Sequence, residues 1–247
     1  MTSKTETKRS QHVIARSMAS RKPAIAKVRE EAPTHLRPGL PGGARQENRR
    51  RRLEALHSAA TELFLAQGMQ AVSVEELAKA AGLSKAGFYR YYPSIEALVC
   101  SLFSPLKRAI DDASESAAEG LRLARKRDQL VAVYLRLGIA LTAIVASEQS
   151  LVRLYLQEVR GAAAGVRLPV AELAERIDEL VLELTHAAHA HGLLRAIDPK
   201  LSAQAVLGLV EHVLFRALRS GTLVSEAERL PAWVALVLEG VARTDVP

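Results

Sequence analysis

From residue 46 onward, apolar positions recur every three or four residues and few β-branched runs alternate as a strand requires, so the pattern predicts an all-α chain. Leu53, Leu56, Ala60, Leu63 and Phe64 mark the core-facing stripe of a first helix, which Gly68 stops. Ser73 opens a short second helix. In its "SVEE" the Ser73 hydroxyl and the Glu76 carboxylate can each take a free backbone N–H, and the helix ends at Gly82. Ser84 caps a third helix, which Pro93 terminates by disfavouring helical geometry at Tyr92. Ser94 caps a longer fourth helix with Glu96 in its first turn, where the dipole favours negative charge, and Pro105 is expected to interrupt and kink it. Five more helices are predicted near 128–147, 149–161, 169–191, 199–220 and 226–243, punctuated by Gly161, Pro169, Gly192 and the pair Asp198-Pro199.

The segment "LVAVYLRLGIALTAIVA", residues 130–146, is apolar almost all round. It falls short of the about 20 apolar residues a membrane span needs and Arg136 interrupts it, so a buried central helix is expected. Residues 1–44 are rich in Ser, Thr, Pro, Gly and basic side chains and close on "RPGLPGGAR", the composition of a disordered arm. The predicted organisation is therefore a basic arm over 1–44, a small helical unit over 45–93, and a larger helical unit over 94–247.

Charge changes this picture. The chain of 247 residues carries a net +7, and residues 1–52 hold fourteen Lys and Arg against four Glu, so the remainder is slightly acidic. One end seeks polyanions. A single cysteine, Cys100, forms no intramolecular disulfide, and the polar N-terminus has no signal-peptide core, so a cytoplasmic protein is expected. Cys100 reads as a small buried residue.

Four of the chain's ten aromatic residues fall within "GFYRYYPS". Phe88 and Tyr92 share a face four residues apart and are expected to pack against the first helix, since so short a helix is held by tertiary burial. Tyr89 and Tyr91 then lie beside Lys85 and Arg90, with hydroxyls able to reach phosphate, while small Ala86 and Gly87 let the backbone sit deep in a major groove. The alternative is that all four rings form a small core. "RQENRRRR" puts Arg49, Arg50, Arg51 and Arg52 near a helix start, against the helix dipole. Phosphate contact would offset that, and a plain solvated charge run is the other reading.

The stretch "VSVEELAKAAGLSKAGFYRYYPSIEALV", residues 72–99, resembles the helix-turn-helix signature of TetR-family transcriptional regulators. Small Ala78 where two helices cross, Gly82 at the turn, the Ser84 cap, the Phe88-Tyr89 pair and the aromatic-Pro-Ser run carry the likeness, which extends over about 46–100 with the first helix. The resemblance implies a dimeric repressor that binds a pseudo-palindromic DNA operator and is released by a small, largely apolar effector bound in the C-terminal unit. By resemblance, Lys85, Ala86 and Gly87 read bases, Tyr89 and Tyr91 contact phosphate, and Ser73 begins the supporting helix. Family members often carry Lys at the second residue of helix four; here that position is Ile95, and the arm is unusually long.

In the larger unit, Tyr134, Arg136, Tyr155 and Glu158 are candidate polar handles in an apolar effector pocket, or else core residues and a paired Arg. Leu209, Val213, Leu218, Trp233, Leu236 and Val237, on the last two predicted helices, are candidates for a four-helix homodimer interface. His186 and His189 share a face, with His212 on the next helix, short of a metal ligand set. No cofactor or metal is expected. No Gly-rich phosphate loop or nucleophile elbow occurs, so an enzyme is not expected; a sequence-indifferent DNA-coating protein and a small helical enzyme are the rival readings.

Overall fold

A computed structural model describes residues 43–239, and the arm predicted over 1–44 lies, up to residue 42, outside the described residues. The helices run α1 Ala44–Gln67, α2 Val74–Ala80, α3 Lys85–Tyr89, α4 Ile95–Leu123, α5 Arg127–Ser147, α6 Gln149–Glu158, α7 Leu168–His189, α8 Pro199–Ser220, α9 Leu223–Glu228 and α10 Leu230–Glu239, with short 3-10 turns at Met69–Ala71 and Gly165–Arg167. The described residues contain no strand, so the fold is all-α.

The punctuation follows from the chemistry of the caps. Glu76 N–H donates to Ser73 Oγ and Ser73 N–H to Glu76 Oε2, closing the capping box of α2. Ser84 and Ser94 likewise accept from Gly87 N–H and Ala97 N–H. Gly68 ends α1 at φ 81°, a left-handed value that side chains resist.

Two departures trace to proline. Pro105 lies inside α4 without ending it: the exposed ring leaves only the Ser101 carbonyl without its usual partner. The single helix predicted over 226–243 is two, α9 and α10. Pro231 has no N–H to return to the Ala227 carbonyl, and the chain turns at Arg229, whose N–H bonds Glu226.

α1, α2 and α3 pack around Leu56, Phe64, Met69, Leu77 and Phe88, all fully buried, and this core runs on through Leu98, Leu102 and Phe103 of α4 to Leu154 of α6. α4 packs on α5 and α7, α7 on α8, and α10 on α5. A second, smaller cluster of Leu121, Leu130, Val133 and Leu184 closes the far end of this bundle.

The apolar 130–146 segment is not the buried helix its composition predicts. Of α5 only Leu130, Val133 and Val145 are buried, and Ile139 is exposed. α5 and α8 are the two described helices long and apolar enough to cross a membrane by length and composition. Part of their apolar surface meets the packed bundle and a cavity, while Ile139 of α5 and Leu201 and Phe215 of α8 face solvent. Cys100 is also exposed, on the solvent side of α4, rather than buried.

Candidate nucleic-acid interface and effector cavity

α3 is held by its inward side. Phe88 is fully buried, and Tyr92, just beyond the helix, is 8% exposed, with its hydroxyl 2.8 Å from His57 Nε2 of α1 and 2.9 Å from Ser101 Oγ of α4. Three segments thus meet at one phenol, and the four rings do not form a core of their own. Tyr89 stays 48% exposed, edge-on to Phe88. Lys85, Ala86 and Arg90 are exposed beside it. Tyr91 is half-buried, with the Arg49 guanidinium 5.6 Å over its ring.

Gly87 departs from the base-reading position inferred for it. It is buried, and a Cβ there would come within 3.2 Å of Ser84 Oγ and 3.3 Å of Leu83 Cβ, so the glycine serves the seating of α3 on its own cap. Ser73 is likewise occupied by its capping box.

The cations around α3 are provisionally paired. Lys85 Nζ bonds the Glu75 carboxylate across the turn, which holds the Glu75 carboxyl below and the Lys85 ammonium above their ordinary values. Arg50 and Arg51 share Glu47, Arg50 also reaches Glu54, and Arg52 Nη1 donates to the Gly82 carbonyl at 3.3 Å. Exposed pairs of this kind are worth about 0.2–1 kcal/mol, so a phosphate can displace the carboxylate at little cost. Ile95 is half-buried and packs against the core, so this position offers no cation to a phosphate.

The second site is a cavity of about 430 Å³ between α5, α7, α8 and α10, within the roughly 300–1,000 Å³ of small-molecule sites. Tyr134 and Tyr155 both line it. Burial pushes the Tyr134 phenol up to about 12 and raises that of Tyr155 further, so both stay neutral donors; Tyr155 donates to Glu211 Oε1 at 3.1 Å.

The other two proposed handles are elsewhere. Arg136 is exposed on α5, near Gly120 of α4. Glu158 is 3% exposed and locks the junction between the two units: its Oε2 accepts from Arg167 Nε at 2.6 Å and its Oε1 from Met69 N–H at 3.2 Å. Its neighbour Gln157 donates to the Phe64 carbonyl at the end of α1. No local spacing signals these contacts, since Met69 lies 89 residues from Glu158.

The residues assigned to a dimer interface are also redistributed. Leu209, Val213, Trp233 and Val237 line the cavity, Leu218 packs on the main core and Leu236 is half-buried. The side of α8 turned to solvent carries Leu201, Ala205, Gly208, His212 and Phe215 instead. His189 lines the cavity, with Nδ1 2.8 Å from the Thr185 carbonyl.

The sequence model described as "Bacterial regulatory proteins, tetR family" matches residues 56–102. The chain is 30% identical over 198 residues to the HTH-type transcriptional repressor KstR2 of Rhodococcus jostii, covering 78% of this chain and 91% of that protein. It is 28% identical over 204 residues to the nucleoid occlusion factor SlmA of Vibrio atlanticus, covering 79% and 96%. Among solved structures, a FadR repressor of Thermus thermophilus in complex with lauroyl-CoA superposes with a TM-score of 0.51 at 25% identity, over 79% of this chain and 98% of that one.

Proposed function

The chain belongs to the TetR family of DNA-binding transcriptional regulators, and on that premise we propose that it works as a homodimeric, cytoplasmic repressor whose grip on a pseudo-palindromic operator is released by a small, largely apolar effector. Residues 45–93 grip DNA, with Lys85, Ala86, Tyr89 and Arg90 in the groove and Arg49 to Arg52 and Tyr91 along the backbone. Residues 94–247 hold the effector between Tyr134 and Tyr155 and pair the two copies through the exposed side of α8. Two copies set two α3 helices about one helical turn of DNA apart, or a multiple of it.

One observation carries this reading: α3 is anchored by buried Phe88 while Tyr89, Lys85 and Arg90 are left outside, on a chain whose other unit encloses an apolar cavity. The lauroyl-CoA complex of the related repressor supports a ligand with a long apolar part. Release requires the effector to bind the DNA-incompetent arrangement more tightly than the competent one.

The test is fluorescence anisotropy of full-length protein on the duplex upstream of its own gene and on a scrambled duplex. Preference for the native duplex is expected. Lys85→Ala should weaken that binding by about 1–3 kcal/mol, the worth of a base contact, with no change in melting temperature. Equal affinity for both duplexes would favour a sequence-indifferent DNA-coating protein instead.

A further inference from the structure

The cavity is long and electrically lopsided. Leu173 and His189 both line it and stand sixteen residues apart on α7, so at 1.5 Å per residue it extends about 24 Å. Drawn out over that length, a cavity of about 430 Å³ is elongated and has room for an extended chain. The end beside α6 is walled by Leu106, Val145, Val152 and Leu173.

The other end is walled by His189, Leu194, Arg195 and Ile197, and there the chemistry changes. The turn between α4 and α5 reads Arg122-Leu123-Ala124-Arg125-Lys126-Arg127, and it touches the segment joining α7 to α8: His191 Nε2 is 2.9 Å from Arg125 Nη1 and 3.0 Å from the Arg122 carbonyl. Arg195 Nη2 donates to the Glu239 carbonyl at 3.2 Å, and Arg127 takes the Glu239 carboxylate at 3.1 Å. That carboxylate is therefore engaged. Arg125 spends its Nη1 on the Arg122 and Ala124 carbonyls, which leaves its charge uncompensated. Among the described residues, no carboxylate forms an ion pair with Arg122, Arg125, Lys126 or Arg195.

We propose that this rim is a headgroup site, and that the effector is a single aliphatic chain ending in a phosphorylated, multiply anionic headgroup. The chain enters the cavity toward α6 and the phosphates rest against Arg125, Lys126 and Arg195. Arg195 lines this end of the cavity, and Arg125 and Lys126 stand on the turn that His191 ties to it; cations gathered without paired carboxylates repel one another, an anion with more than one charge relieves that repulsion, and a neutral headgroup gains nothing from it. The proposal rests on the effector reading above and adds the polarity and orientation of the ligand.

The experiment is a set of binding titrations on full-length protein with four probes sharing a twelve-carbon chain: lauroyl-CoA, lauroyl lysophosphatidate, laurate and dodecyl maltoside. Both phosphate-bearing probes are expected to bind more tightly than dodecyl maltoside, with an advantage that shrinks as salt rises. Arg125→Ala combined with Lys126→Ala should cost the phosphate probes roughly tenfold or more, given about 1.5–3 kcal/mol for a hydrogen bond to a charged group, and leave dodecyl maltoside within about twofold. Because Arg125 also braces the end of α4, Lys126→Glu alone is the companion variant; it changes an exposed side chain and should act in the same direction.

Lauroyl-CoA above lysophosphatidate would identify a nucleotide thioester as the source of the phosphate, and the reverse order a lipid; either order supports the rim. Equal affinity for all four probes, or no response to both variants, overturns the headgroup site while leaving an apolar effector standing. Failure of every probe to bind overturns it together with the effector reading.

Discussion

The reading head and the effector body are built from the same kind of helix and spend their apolar side chains in opposite ways. In the head, Leu56, Phe64, Met69, Leu77 and Phe88 are all at 0% exposure, and serine caps fix the start of α2 and α3. In the body, α8 is 22 residues long yet fully buries only Ala203 and Ala217, and α10 buries none. On the proposed function the contrast has a reason: a unit that matches a polymer of fixed geometry is closed and over-determined, and one that admits a ligand and a second copy keeps its apolar surface in reserve.

The largest effect that would break this contrast comes from the same substitution made in both places. Phe88→Ala opens a hole in a closed core and should cost about 3–5 kcal/mol of folding stability in chemical denaturation. Phe215→Ala, at a side chain 43% exposed, should cost under about 1 kcal/mol of folding stability within the protomer and instead weaken self-association in sedimentation. Similar folding costs at both positions would mean that α8 is packed in solution in a way its exposure does not reveal.

A middling effect sharpens the junction between the two regions. Glu158→Ala strands Arg167 and leaves the Met69 N–H without its acceptor. Removing one partner of a buried pair costs about 3–5 kcal/mol, and with Arg167 partly exposed the expected loss is nearer about 2 kcal/mol. Faster hydrogen exchange at Met69, with α7 and α8 unchanged, would place the damage at the junction; uniform acceleration would contradict it.

The smallest effect is a pH dependence of the head. Burial lowers the His57 pKa from its ordinary 6.5, so the unfolded chain binds a proton that the folded ring resists. Stability is therefore full above about pH 6.5 and falls as pH drops below it, until the folded ring is itself protonated. His57→Gln should flatten that part of the profile, and an unaltered slope would assign it to other groups.

What was legible in the sequence follows the range of the interactions. The capping box of Ser73 and Glu76, the stop at Gly68 and the start at Pro199 are local, and each is written in a few adjacent letters. Tyr89 outside and Phe88 inside follow from helical spacing alone. Glu158 was beyond reach, because its partners come from Met69 and Arg167 and only folding brings them together. Gly87 looked like a door for DNA because its small size was visible, whereas its close seating against Leu83 and Ser84 appears only in the folded turn. The apolar circumference of α5 was equally ambiguous: hydrophobicity on all sides describes a helix facing a void as well as one facing a core.

Ten residues of α6 join these two economies. Val152 and Tyr155 face the cavity, and Gln157 and Glu158, less than one turn further on, hold the end of α1 and the turn after it. For anyone building sensors by grafting one regulator's operator specificity onto another's ligand response, the seam is therefore not where the sequence changes character near residue 93. A hybrid cut there inherits an α1 terminus shaped for one α6 and an α6 shaped for another, and the transplant has to carry the Phe64–Met69 segment and its Gln157–Glu158 clasp as a matched set.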